Sequence, residues 1–206
     1  MLTAASRRPP PLAVALGTVI AAYYALWACA PAATMRAPIP LTPDNPNELA
    51  LGFAATSGLE ESTTSYGNTH GLDVQAWYLR RLGEHAQIGG TLFGGQTSLL
   101  GTGFLGRFPI VTRDRFTFGV DVEAGWLWLA TGVPMAWRVG DDLWFTTEPS
   151  VGWRFNNTFR LPVGLGFEAG PHVVVNPEVY LAYDPLSIYV KQNLTYGAAF
   201  SVGTRF

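Results

Sequence analysis

From Glu48 to Phe206 apolar side chains recur at every second position, in runs broken by turn residues. The clearest run, 115–128, puts Phe116, Phe118, Val120, Val122, Ala124, Trp126 and Trp128 on one face and Thr117, Gly119, Asp121, Glu123 and Gly125 on the other. A period of two is the mark of a strand with one apolar and one polar face. The run exceeds the usual strand of about 5–6 residues and fits a tilted membrane strand of about 9–11. Nine further segments fit the same period: 48–56, 70–80, 84–94, 97–108, 132–139, 143–155, 158–168, 172–183 and 193–206.

The alternation predicts an all-β fold, a single antiparallel up-and-down transmembrane β-barrel of about ten strands over residues 48–206. Eight strands result if 48–56 and 132–139 are loops. Gly140-Asp141-Asp142 and Asn156-Asn157 read as turns. An even count puts both ends of the barrel on one side. Against this register stand Pro134, Pro149, Pro162 and Pro177, which fall inside predicted strands. Each lacks an N–H and argues against a central strand position.

Composition sharpens the choice between a membrane barrel and a soluble sandwich. Charged residues make up 14% of the chain, against about 25% in a typical soluble domain, while mean hydropathy is only +0.17. Few charges without a long apolar run is what spreading apolar residues over alternate positions produces. A net charge of −2 supplies no basic field for nucleic acid.

The N-terminus reads as a targeting segment. Arg7 and Arg8 precede an apolar run from Leu12 to Leu26, too short for a membrane-spanning helix of about 20 residues. The run ends Leu26-Trp27-Ala28-Cys29. Residues 1–28 are therefore expected to be a signal peptide, and 29–47, with Pro31, Pro38, Pro40, Pro43 and Pro46, an extended Pro-rich tether. A cut after Ala32 or Ala33 is the alternative and would discard Cys29.

Two features resemble known bacterial proteins. Leu26 at −3, a small residue at −1 and Cys29 at +1 resemble a lipobox, with Trp27 as a departure from it; this implies lipidation of Cys29. Phe206, Thr204, Val202 and Phe200, on one face of a terminal strand, resemble the C-terminal assembly signal of outer-membrane barrels. The pattern over 48–206 is similar to the small OmpA-like and OmpW-like outer-membrane barrels. That resemblance implies a bacterial outer-membrane location with both termini periplasmic. It implies as partners outer-membrane lipid and the barrel-assembly and lipoprotein-sorting machinery.

On the predicted topology the lumen receives Asp73, Arg107, Asp121, Glu123, Arg138, Glu148, Arg154, Arg160 and Glu178, with Glu48, Glu168 and Arg205 beside them. Buried charges must pair, so a salt-bridged polar core is expected. Many inward glycines leave room for a narrow wet lumen. The longest outward connections, 57–69 and 184–192, bring Glu60, Glu61, Tyr66, Asp184, Tyr189 and Lys191 to one patch for a ligand or partner. His70, His85 and His172 share no level with a Ser or Asp partner, so no catalytic residues are assigned. No cysteine cluster or acidic calcium loop points to a metal, and no cofactor is implied. The expectation is a non-enzymatic, lipid-anchored outer-membrane barrel with a structural or interaction role. A narrow passive channel and a lipid-modifying enzyme are the alternatives.

Overall fold

The computed structural model describes residues 35–58, 71–96, 100–125, 128–153, 157–183 and 194–206. They form β1 (Asn47–Gly58), β2 (Gly71–Leu82), β3 (Ala86–Gly95), β4 (Gly101–Arg113), β5 (Phe116–Gly125), β6 (Trp128–Gly132), β7 (Met135–Arg138), β8 (Leu143–Thr147), β9 (Ser150–Trp153), β10 (Asn157–Ala169), β11 (Val173–Tyr183) and β12 (Leu194–Arg205). Both β6 and β7 pair with β5, and both β8 and β9 pair with β10, so each couple is one stave. Twelve segments with two couples merged give ten antiparallel staves. The ring closes where β12 meets β1, from Glu48 opposite Arg205 to Gly58 opposite Thr195. Closure leaves no open sheet edge, the condition a strand structure must meet in lipid.

The pleat sorts side chains as the alternation predicts. On β12, Tyr196, Phe200 and Val202 face outward, while Ala199, Ser201 and Arg205 are buried inside. On β5, Thr117, Asp121 and Glu123 are buried. Short turns at 83–85, 114–115, 139–142 and 170–172 gather at one end with Asn47 and Phe206; the longer connections lie at the other. Gly83 and Gly170 have φ of 71°, the left-handed region that favours glycine, and each makes one of these short turns possible.

The four awkward prolines fit without moving the register. Phe118 faces Met135 and Asp121 faces Gly132, so the β5 pairing runs straight across Pro134. Arg160 faces Ser150 and Val163 faces Thr147, so the β10 pairing runs straight across Pro149. These prolines forfeit donors but keep their carbonyls in use: Gly119 N donates to Pro134 O at 3.1 Å and Val133 N to Pro149 O at 2.9 Å. Pro162 faces Tyr180 and Pro177 faces Phe200.

Three expectations need correction. The fifth stave ends at Gly125, and Trp128, paired with it, opens the next, which therefore begins before residue 132. Trp128 thus points inward, 3% exposed, with its ring edge-on to Phe93 at 5.5 Å. Gly103 and Gly125 leave the space it fills. Arg138 sits at the exposed short-turn rim, because it ends β7, and it is not part of the buried lumen network; its Nε donates to Asp141 O at 2.9 Å and its guanidinium lies 5.5 Å from the Trp144 ring. The largest correction concerns the tether. Residues 35–39 and Leu41 are buried inside the barrel, so this part of 29–47 is no free linker.

Candidate functional site

The site is the lumen together with the N-terminal segment that enters it. Residues 35–46 form no strand; the segment passes the short-turn rim and runs up the interior to Met35. Its apolar side chains pack on the wall at two places. Met35 and Leu41 join Ala50, Trp77, Leu79, Leu105 and Tyr180, and Ala37 and Ile39 join Ala136, Trp144 and Val174. Wall glycines make room. A Cβ on Gly52 would stand 2.9 Å from Met35 Cβ, and one on Gly166 would stand 2.6 Å from Ile39 Cδ1. The inward glycines read from the sequence as open space are here partly filled by the chain's own segment.

Charge holds the segment as much as packing does. At mid-lumen Arg107 of β4 and Asp121 of β5 are directly opposed across the ladder. Arg107 Nε donates to Asp121 Oδ1 at 2.9 Å and Nη2 to Oδ2 at 2.8 Å, the two-pronged geometry that suits guanidinium and carboxylate. Arg107 Nη2 also lies 3.4 Å from Glu148 Oε2. From the plugging segment Arg36 Nη2 reaches Asp121 Oδ2 at 3.2 Å, Glu148 Oε1 at 3.6 Å, and Glu123 Oε1 in a short contact. Both guanidiniums are buried, Arg36 at 2% exposure and Arg107 at 4%. Three carboxylates thus share two arginines, one of them supplied by the segment.

A second cluster lies toward the short-turn rim. Glu48 and Arg205 face each other across the closing seam, with Arg205 Nε 3.0 Å from Glu48 Oε2 and Nη1 3.3 Å from Glu168 Oε1. Trp77 Nε1 donates to Glu48 Oε1 at 3.0 Å and Trp144 Nε1 to Glu168 Oε2 at 2.9 Å. The same arginines hold the segment's backbone: Arg107 Nη1 donates to Ala37 O at 2.9 Å and Arg205 Nη2 to Ile39 O at 3.0 Å. Pro38 and Pro40 take two N–H groups from the segment but leave every carbonyl, and the wall answers those carbonyls with donors.

The remaining sequence-predicted residues divide clearly. Glu178 is buried, with Asn176 Nδ2 donating to its Oε2 at 3.2 Å. Asp73 is buried at 2%, and Arg160 sits within the field of Glu123, Tyr180 and Asp73. Phe206 N donates to Asn47 O at 3.1 Å, and Asn47 N and Nδ2 donate to Phe206 O at 3.0 and 2.9 Å, so the terminal residue locks the seam. Thr204, Val202 and Phe200 line the outer face of β12. Arg154, Cys29, His70 and all of the 57–69 and 184–192 connections except Ser57 and Gly58 lie outside the described residues. His85 is exposed in a turn, and His172, exposed at the rim, has Nδ1 3.0 Å from Arg205 O. Among the described residues no group of three His, Cys, Asp or Glu is arranged to hold a metal ion.

Sequence reasoning missed Arg36. The signal was present: Met35, Ala37, Ile39 and Leu41 alternate with Arg36, Pro38, Pro40 and Thr42. The prolines, read as a linker's, masked that alternation.

No protein-family model and no curated protein matches this chain. Solved structures do. The NanC porin superposes with a TM-score of 0.51 at 10% identity, over 77% of this chain and 98% of that one. The outer membrane protease OmpT from Escherichia coli superposes at 0.47 and 9% identity, over 82% of this chain and 99% of that one. At these identities the likeness is one of fold, and the fold is that of the outer-membrane β-barrels.

Proposed function

We propose that this chain is a bacterial outer-membrane barrel, sealed at rest by its own N-terminal segment, with a structural or interaction role at the membrane rather than that of a standing pore. The observation that carries this reading is the burial of Arg36 among Asp121, Glu123 and Glu148 at mid-lumen, where a solute path would run. The apolar outer face, with Phe104, Leu129, Leu161, Leu181 and Phe200 exposed, supports residence in a bilayer. On this reading the short-turn rim and both barrel ends face the periplasm, since short turns belong on that side in such barrels. Cys29 is the proposed lipid anchor, and the connections 57–69 and 184–192 form the proposed partner surface. The reading involves no catalytic step.

Planar-bilayer recording on the full-length mature protein tests it. We expect heat-modifiable migration, as a folded barrel gives, together with a silent baseline. Steady open-channel conductance from the folded protein would rule the reading out.

A further inference from the structure

Among the described residues the lumen wall carries more acid than base, and its charge is offset by a residue that does not belong to the wall. The ion pairs of Arg107 go to Asp121 and Glu148, whereas the ion pair to Glu123 comes from Arg36. Glu123 Oε2 is buried with no hydrogen-bond partner among the described residues. The third arginine at this level, Arg160, lies within the field of Glu123 and Asp73. Counted formally among the described residues, Asp73, Asp121, Glu123, Glu148 and Glu178 face Arg36, Arg107 and Arg160. Nearer the rim Glu48 and Glu168 face Arg205. Among the described residues acid exceeds base at both levels, and withdrawal of Arg36 enlarges the excess.

The segment that carries Arg36 is built to be separable from the wall. Residues 35–42 take part in no strand pairing, so their departure breaks no ladder. Pro38 and Pro40 keep the segment from adding to the sheet as another strand. Its polar links among the described residues are three carbonyls, those of Ala37, Ile39 and Leu41, held by Arg107, Arg205 and Arg81, the backbone bond from Met35 to Glu178, and the Arg36 ion pairs. The spaces opposite Gly52 and Gly166 become lumen once Met35 and Ile39 leave. The bends at 43–45, just outside the packed part, are where the segment can swing while Asn47 stays paired.

We infer that residues 35–42 are a displaceable plug latched by Arg36, and that the lumen beneath it is a passage selective for cations. This rests on the sealed-barrel reading and states what the seal holds shut. Carboxylates left without Arg36 must hydrate or take a counter-ion, because an unpaired buried charge is strongly unfavourable. A narrow passage lined with them admits potassium and excludes chloride.

The test compares the full-length protein with Arg36→Glu, Arg36→Lys and a deletion of 35–41, each checked for heat-modifiable migration and recorded in planar bilayers across a potassium chloride gradient. The latch predicts silence for the wild type and for Arg36→Lys. Arg36→Glu places a fourth carboxylate among three and should expel the segment, giving resolvable channel steps whose reversal potential moves toward that of potassium. The deletion should do the same. Silence of both folded variants, or a reversal potential on the chloride side, overturns the inference. So does failure of both variants to fold, which would make the segment part of the folding core. Conduction by the wild type would instead overturn the sealed-barrel reading.

Discussion

Arg107 and Asp121 illustrate how one pair of side chains serves wall and plug together. They oppose each other across β4 and β5, are both buried, and together meet Arg36, Glu148 and the Ala37 carbonyl. Removing one partner of such a pair leaves an uncompensated charge in a low-dielectric interior. Arg107→Ala is therefore expected to destabilise the barrel by about 3–5 kcal/mol. Arg107→Lys should recover only part of this, since an ammonium cannot offer the parallel donors that the Asp121 carboxylate accepts. Urea unfolding in detergent micelles, followed by tryptophan fluorescence, measures both; an Arg107→Ala variant as stable as wild type would contradict the assignment.

Among the elements, the staves differ in how completely their ladders are made. The wall from β12 through β1, β2 and β3 is paired in unbroken registers. On the opposite side Pro109, Pro134, Pro149 and Pro162 fall on neighbouring staves close to one rung, because Pro109 faces Gly119, Gly119 N bonds to Pro134 O, and Val133 N bonds to Pro149 O. Four missing donors in one band weaken the wall locally, and beside Pro109 the β4–β5 register also shifts, between Pro109 and Val111. Amide hydrogen exchange in micelles should show the slowest amides in β1, β2 and β12 and markedly faster exchange at Val133, Glu148 and Leu161. Uniform protection around the barrel would remove this distinction.

For the whole molecule the closing seam matters most. Phe206 and Asn47 exchange backbone bonds, Asn47 Nδ2 adds a third, and the Glu48–Arg205 ion pair lies one step inside. Deleting Phe206 removes the hydrogen bonds at the point where the ring is sealed, each worth about 0.5–1.5 kcal/mol. The variant is expected to lose its heat-modifiable form at a lower temperature than wild type, by an amount that Phe206→Ala, which keeps the backbone, does not reproduce. Equal loss in the two variants would assign the effect to the aromatic ring instead. Seam and plug are also joined, since Arg205 holds both Glu48 and the Ile39 carbonyl.

Much of this was legible in the chain itself. Alternation alone assigns Asp73, Arg107, Asp121, Glu123, Glu148 and Glu178 to the interior and Phe200, Val202 and Phe206 to the exterior, because a pleated strand leaves each residue only two directions. The same period gives about ten staves and leaves eight open; the pairing of β1 with β12, and of β6 and β7 with β5, decides for ten. What alternation cannot carry is which inward residues meet, since that depends on the register between strands far apart in sequence: Glu48 finds Arg205, and Arg107 finds Asp121, only once the ring has closed. Nor does it locate a turn inside a continuous apolar run, which is why Trp128 reverses its face. The plug is the furthest from local pattern. Residues 35–42 have no ladder of their own, and only the assembled lumen, with its glycine hollows and its surplus of carboxylates, makes burial of Arg36 and its proline-rich neighbours favourable.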